Sequence, residues 1–238
     1  MIQEIKGTMH MIYTNYKISL LTFWAILIGI VILSVGSTYL LQSSMTEFTL
    51  SAPMYFYTPI VAGMVVTGVM PFMIKLGVTR FPIFLSLGTF LLIASILNAV
   101  VIQLIQAILK MFFDMNGRAL VLRNGSSEFT INHIADLLPN STFATEIIID
   151  ISITMLLSMV VFFISLIFYR YGKLIGFSFM GLIGVLFVFD MSNEGAVFQL
   201  LEYIVLHFEF SYFYYMFGLS IIVYLVSYIF MHRMTIKK

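Results

Sequence analysis

The sequence predicts an all-α membrane protein with about six transmembrane helices, and its composition, its uncharged runs and its charge distribution each support this class. Of its 238 residues, 61% are hydrophobic and 10% are charged, whereas about 25% of residues are charged in a typical soluble domain. A soluble fold of this size needs more polar residues to cover its surface. The chain contains no cysteine, so it offers neither a disulfide framework nor a thiolate metal site.

Uncharged hydrophobic runs in the sequence match the length of membrane spans. A bilayer core about 30 Å thick requires roughly 20 apolar residues in an α-helix. Six segments meet this requirement or come close to it. The predicted spans are residues 18–41, 52–74, 81–109, 147–168, 174–189 and 210–231. The fifth is the shortest, and the third is long enough to tilt or to project beyond the membrane.

The distribution of lysine and arginine predicts the orientation of the chain. Of the 12 basic residues, nine fall on one side of the predicted spans and three on the other. The nine are Lys6, Lys17, Lys75, Arg80, Arg170, Lys173, Arg233, Lys237 and Lys238. The three, Lys110, Arg118 and Arg123, lie in a single long loop. Because cytoplasmic loops are enriched in lysine and arginine, we expect both termini in the cytoplasm.

Two predicted outer loops carry patterns of folded structure. Residues 110–146 form the longest connection, and Asn-Gly pairs at 116–117 and 124–125 predict turns within it rather than one continuous helix. In the loop 190–209, apolar residues recur at helical spacing over residues 197–208. This spacing predicts a short amphipathic helix at the outer membrane surface, just before span six.

A few polar side chains fall within the predicted spans, where they are costly. Asn98, Gln103 and Gln106 share an arc of about 140° on span three, counting 100° per residue. They could line a substrate path, but hydrogen bonds to neighbouring helices are the simpler interpretation. Asp150 is the one carboxylate placed clearly inside a span. Its position near the outer boundary predicts contact with lipid headgroups or with an arginine of loop 110–146.

No familiar catalytic motif occurs in the sequence. Gly172-Lys173 precedes Leu174 rather than serine or threonine, and the upstream glycine of a phosphate-binding loop is missing. The metalloprotease His-Glu-x-x-His and hydrolase Gly-x-Ser-x-Gly motifs are missing as well. The four histidines are scattered near predicted interfaces, which indicates solvated or helix-terminal positions rather than metal binding. We therefore expect no enzyme activity, metal or cofactor, and the net charge of +1 gives no reason to expect a nucleic-acid partner.

The connection between spans two and three carries a more informative pattern. It reads Pro-Phe-Met-Ile-Lys-Leu-Gly-Val-Thr-Arg-Phe-Pro over residues 71–82. This segment resembles a turn of small permeases of the ABC-2 type transporter family, and the six-span plan of the whole chain is similar to theirs. The resemblance implies that the turn is a coupling helix that docks on a separate ATPase subunit. The implied docking residues are Leu76, Gly77, Val78 and Thr79, flanked by Lys75 and Arg80. The alternative is that the two basic residues only anchor the topology.

The resemblance also implies an N-terminal interfacial elbow helix at residues 1–17 and an outer helical element before span six. Leu200, Glu202 and Ile204 could then form an outer gate near the mouth of a substrate path. A helix that only lies at the membrane interface is the simpler interpretation. The implied protein is a multi-pass permease of the bacterial cell membrane, paired with a second copy or a homologue, with ATP bound to the partner ATPase. A path with few charges suits export of a hydrophobic or amphipathic substrate such as a peptide, an antibiotic or a lipid.

A different class of function is also open, namely a non-transporting membrane sensor, immunity protein or interaction subunit that uses its outer loops to bind a ligand or partner. An associated ATPase would distinguish the permease from this alternative. An ion-coupled carrier would need acidic residues in mid-membrane, and the predicted spans contain almost none.

Overall fold

The computed structural model describes residues 2–41, 45–112, 115–116, 119–124, 127–138 and 141–232. Within them lie six helical segments that are long and apolar enough to cross a membrane. The helices are α1 (Ile2–Leu41), α2 (Ala52–Met64) with α3 (Met70–Lys75), α4 (Arg80–Phe112), α5 (Phe143–Tyr171), α6 (Lys173–Ser192), α7 (Ala196–Leu206) and α8 (Ser211–His232). Together α2 and α3 form one span, and α7 is the short helix between spans five and six. The predicted class, a helical membrane protein with about six spans, is confirmed.

The first helix begins earlier than the predicted first span. Residues 2–17 are helical, but α1 continues from Ile2 through Lys17 into that span without a break, and the interfacial elbow role of residues 1–17 stays a prediction. No proline interrupts this stretch, and its N-terminal part packs against the bundle. Ile12 is fully buried, and the Ser86 hydroxyl of α4 donates a 3.3 Å hydrogen bond to the carbonyl of Ile5. The 40 residues of α1 span about 60 Å at 1.5 Å per residue, about twice a bilayer core.

Span two contains a π-helical segment, Val65–Val69, that joins α2 to α3. Pro71 follows this segment, and its ring nitrogen cannot donate the hydrogen bond that continues an α-helix. The hydroxyl of Thr67 donates to the carbonyl oxygens of Gly63 and Met64, each at 3.2 Å. Such local adjustments and side-chain hydrogen bonds are how membrane helices tolerate proline.

Helix α5 lies at the centre of the bundle and packs against α2, α4, α6 and α8. Fully buried side chains of the main hydrophobic cluster include Ile12, Met70, Leu87, Met159 and Phe162. Helix α6 is peripheral: of its residues, all of which the structure describes, Gly176 alone is buried. A Cβ atom at Gly176 would lie 2.5 Å from Cδ1 of Phe168, so glycine permits the close approach of α6 to α5.

A four-stranded sheet is formed by the segment between α1 and α2 and the segment between α4 and α5. Its strands are β1 (Met45–Thr49), β2 (Met115–Asn116), β3 (Ala119–Asn124) and β4 (Ser127–Asn132), in the order β1-β4-β3-β2. β1 pairs with β4 in parallel, whereas β3 pairs antiparallel with β4 and with β2. The folded element expected within 110–146 is present, and it also recruits the loop after span one, which we did not predict.

The sheet is tied to the helices by apolar contacts. Ile131 of β4 joins a buried cluster with Leu50, Met54 and Ile102. A 3-10 helix, Ile134–Leu137, follows β4. Ala135 and Leu138 pack against Ile149 near the start of α5 and Phe213 near the start of α8. We call this end of the bundle the sheet end, and the opposite end, which carries residues 75–80, the turn end.

Candidate functional site

Asp150 is the centre of a buried polar cluster at the sheet end. It lies two turns inside α5 and is fully inaccessible to solvent. Its Oδ1 accepts a 2.5 Å hydrogen bond from the hydroxyl of Tyr55 and lies 3.1 Å from Nε2 of His133. Its Oδ2 accepts hydrogen bonds from Nε2 of Gln103 at 3.3 Å and from the hydroxyl of Ser51 at 3.4 Å. We call these five residues the Asp150 cluster.

The cluster joins the sheet end to three spans. Ser51 and Tyr55 lie at the start of α2, Gln103 belongs to α4, and His133 follows directly after β4. A buried carboxylate is stable only when its oxygens are hydrogen-bonded or paired with a charge. The four partners supply these hydrogen bonds. Through them one carboxylate connects α2, α4, α5 and the loop after β4.

Local hydrogen bonds fix the ring of His133. Its Nδ1 accepts a hydrogen bond from the backbone N–H of Ala135 at 3.0 Å, and its own backbone N–H donates to Asp136 Oδ2 at 2.6 Å. These two bonds form a capping box for the 3-10 helix. Because Nδ1 is an acceptor here, the ring proton lies on Nε2, which donates to Asp150.

The charges around His133 favour its protonation. Burial alone lowers the pKa of His133, but the hydrogen bond and charge of Asp150, together with the charges of Glu146 and Asp136, raise it above its ordinary value. A second proton would occupy Nδ1 and displace the N–H of Ala135. The charge of the cluster and the cap of the 3-10 helix are therefore coupled.

The predicted docking turn, residues 75–80, is exposed at the turn end but is not a helix. Lys75 ends α3 and Arg80 begins α4. Gly77 has φ +81°, and its N–H donates to the carbonyl of Ile74 at 3.1 Å. A left-handed glycine after the last helical residue is a common helix terminator, so four residues between α3 and α4 form a tight turn. The expected coupling helix is wrong as a conformation, and the docking role stays a prediction.

The turn is nonetheless held firmly. Leu76 is 62% exposed, and Gly77 and Thr79 are exposed beside it. Val78 turns inward and packs against the main hydrophobic cluster. Arg80 Nη1 donates a 2.8 Å hydrogen bond to the carbonyl of His232 at the end of α8. The turn is thus exposed to solvent but connected to α3, α4 and α8.

The three amide side chains of span three, Asn98, Gln103 and Gln106, are buried, as the simpler interpretation requires. Asn98 donates through Nδ2 to Thr58 Oγ1 and accepts from Trp24 Nε1, each at 3.2 Å. Gln103 belongs to the Asp150 cluster, and Gln106 is 4% exposed. The interhelical hydrogen bonds predicted for Asn98 and Gln103 are therefore present. A substrate path along these three residues stays a prediction.

The predicted amphipathic helix at 197–208 is present as α7, Ala196–Leu206. Asp190 at the end of α6 fixes its start, because Asp190 Oδ2 accepts the backbone N–H of Phe198 at 2.9 Å. Leu200 and Glu202 are exposed and Ile204 is half-buried. Nothing in these contacts joins α7 to the Asp150 cluster, and the gating role of the three residues stays a prediction.

The expectations about the cluster residues have different outcomes. Of the two positions expected for the histidines, His133 has the helix-terminal one, since it caps the 3-10 helix, and it is 6% exposed. The described partners of Asp150 are side chains inside the bundle, Tyr55 and His133 among them. The side chains of the arginines in loop 110–146 lie outside the described residues, so a contact of Asp150 with one of them stays a prediction. The cost of a carboxylate within a span singled out Asp150, but no signal in the sequence indicated His133, Tyr55 or Ser51 as its partners.

The hydrogen bonds of the Asp150 cluster connect parts of the fold, and the cluster resembles a stabilising contact more than a reaction centre. It contains one carboxylate and one imidazole, and the part of the chain that the structure describes holds no group of three or more His, Cys, Asp or Glu residues suited to a metal ion. No protein-family model matches the chain, and no curated protein or solved structure matches it.

Removing the Tyr55 hydroxyl tests how much the cluster contributes to the free energy of unfolding. Tyr55→Phe is expected to lower the free energy of unfolding by about 1.5–3 kcal/mol, the range for a hydrogen bond to a charged group. Tyr57→Phe is the matched control, because Tyr57 donates to the neutral Ser19 hydroxyl at 3.1 Å from the same helix. Its expected cost is about 0.5–1.5 kcal/mol. Unfolding in mild detergent would measure both, and equal costs would contradict a charged acceptor at Tyr55.

Proposed function

We propose that the chain is the permease subunit of an ATP-binding-cassette exporter, with its turn end in the cytoplasm of a bacterium and its sheet end outside. The six-span fold fits a permease, and residues 71–82 resemble the ABC-2 type turn. The excess of lysine and arginine at the turn end supports this orientation. The proposal assigns ATP binding and hydrolysis to a separate partner chain.

The exposed and anchored turn at residues 75–80 is the observation that carries this proposal. A docking element must present a surface and must also pass motion to the membrane helices. Leu76 supplies exposed apolar surface, while Val78 and Arg80 tie the turn to the core and to α8. A push on this turn would move α3, α4 and α8 as packed elements rather than being absorbed by a flexible linker.

The remaining parts of the assembly follow from the same proposal. The permease pairs with a second copy or a homologue, and the broad apolar exposure of α6 supplies membrane-embedded surface for such a contact or for lipid. The substrate is hydrophobic or amphipathic, such as a peptide, an antibiotic or a lipid, because the spans carry few charges.

Co-purification of an ATPase is the direct test. The tagged chain would be purified in mild detergent from cells that express it with its native neighbouring genes, followed by mass spectrometry and an ATPase assay. We expect a stoichiometric ATPase that is lost in Leu76→Asp and in Gly77→Asp, because both place a charge on the exposed face of the turn.

Lys173→Asp is the matched control. It makes a larger charge change at the neighbouring connection of the turn end, between α5 and α6, and should retain the ATPase. A pure, folded protein without any ATPase would overturn the proposal. An ATPase retained by Leu76→Asp and Gly77→Asp would remove this turn as the docking site.

A second function has one observation in its favour. The Asp150 cluster fixes the sheet rigidly to the bundle, so the sheet end offers a preformed surface for a ligand or partner. We infer that a sensor, immunity or interaction subunit would use this surface. Absence of an ATPase in the purification above would favour this function over the permease.

A further inference from the structure

A groove of about 360 Å³ opens between α1, α2 and α4. Its walls are largely apolar and aromatic, with Tyr16 from α1, Val61 from α2, and Phe90 and Leu97 from α4 among them. The volume lies within the range of small-molecule sites, about 300–1,000 Å³.

Two hydrogen bonds between α1 and α4 lie on either side of the groove. Ser86 donates to the carbonyl of Ile5, and Trp24 donates to Asn98. Between them the rings of Tyr16 and Phe90 contact each other, with centroids 6.4 Å apart. Nineteen positions of α1 separate the two hydrogen bonds, but only twelve positions of α4 do. At 1.5 Å per residue the two paths are about 28 and 18 Å long. The two helix axes are therefore not parallel between these bonds, and the groove opens beside the contact of Tyr16 with Phe90.

Basic and hydroxyl groups of α1 line one side of this groove. Lys17, His10 and Tyr13 line it and are exposed. None of the described residues around the groove is aspartate or glutamate, so nothing there neutralises Lys17. The groove faces Phe90–Asn98 of α4. Lys17 directly precedes the predicted span one at residues 18–41, and a lysine near the membrane surface attracts anionic lipid headgroups.

We propose that this groove is a binding site for one anionic phospholipid, independent of whether an ATPase drives the protein. The phosphate pairs with Lys17 and accepts hydrogen bonds from His10 and Tyr13. One acyl chain lies along Phe90, Ile93 and Leu97. This occupant matches both features of the groove, because its charge complements the basic rim and its chain covers the apolar wall.

Two substitutions separate the charged rim from the apolar wall. Lys17→Gln removes the charge, and Ala94→Trp fills the groove, because Ala94 lines it. Lys6→Gln removes a charge from the same helix outside the groove, and Ile96→Trp adds an indole to an exposed position of α4 that does not line it. These two are the matched controls.

The measurement is retention of defined lipids by the purified full chain, using native mass spectrometry after reconstitution with phosphatidylglycerol or phosphatidylcholine. We expect the wild type and both controls to retain phosphatidylglycerol at least about fivefold better, the factor that one lysine near anionic lipid contributes. Lys17→Gln should lose this preference, and Ala94→Trp should lose the bound lipid itself.

Size-exclusion profiles and thermal unfolding would establish that each variant is folded. Equal retention of the two lipids by the wild type would overturn the proposal, as would an unchanged preference in Lys17→Gln. Retention of phosphatidylglycerol by a folded Ala94→Trp would show that the lipid binds elsewhere and would overturn it too.

Discussion

Replacing Asp150 with alanine is expected to lower the free energy of unfolding by about 3–5 kcal/mol, the range for breaking one side of a buried charged pair. The substitution leaves the donors of Tyr55, Gln103 and His133 without their acceptor in a region closed to water. Each unsatisfied buried donor costs about 1–3 kcal/mol, so the sheet end should separate from the bundle before the helices do.

Asp150→Asn should fall between the wild type and alanine. Its amide oxygen replaces one acceptor, but its NH₂ group then faces donors. Thr154→Val is the matched control, because Thr154 lies one turn further along α5 and its buried hydroxyl has no hydrogen-bond partner among the described residues. Replacing such a hydroxyl with a methyl group should be neutral or stabilising.

Unfolding in detergent would measure these costs, and hydrogen exchange would report which end opens first. Asp150→Ala and Thr154→Val with the same stability would mean that the cluster does not support the fold. Early exchange at β4 and the 3-10 helix in Asp150→Ala, with protection retained in the core around Met159, would show that the cluster stabilises the sheet end.

The membrane-spanning architecture could be predicted because hydrocarbon allows few structures. A spanning segment must satisfy its backbone internally, so a run of about 20 apolar residues is a helix. The starts of α2 and α4 fall at or within one residue of the predicted spans, at Ala52 and Arg80. α1 differs because hydropathy marks where lipid begins, not where a helix does. Polar residues before Ile18 continue the helix and pack against α4.

The sheet and the Asp150 cluster depend on contacts between distant segments. β1 and β4 pair in parallel although more than 80 residues lie between Met45 and Glu128, and no local pattern indicates that pairing. His133 meets Asp150 from the segment after β4, and Tyr55 meets it from the start of α2. The sequence could show that Asp150 needs partners, because a charge in a span is costly, but not which side chains the fold would bring to it.

The packing of α8 against α4 leads to a second large expected effect. Gly88 of α4 is buried beneath the ring of Tyr224, and a Cβ atom there would overlap that ring. The ring cannot easily move, because it stacks on Phe84 at 4.0 Å and its hydroxyl donates to the Phe84 carbonyl at 2.8 Å. Gly88→Ala should therefore cost about 1–3 kcal/mol of unfolding free energy, the range for overpacking a core.

A double-mutant cycle identifies the cause of this cost. If overlap with the ring is responsible, Gly88→Ala should cost little in a Tyr224→Leu background, because the smaller side chain leaves room for the new methyl group. Gly181→Ala is the matched control within a helix: a Cβ atom there would meet nothing within 4 Å, and alanine favours helix by about 1 kcal/mol over glycine. It should be neutral or stabilising. Equal costs of Gly88→Ala in the two backgrounds would show that α4 and α8 do not meet through Tyr224.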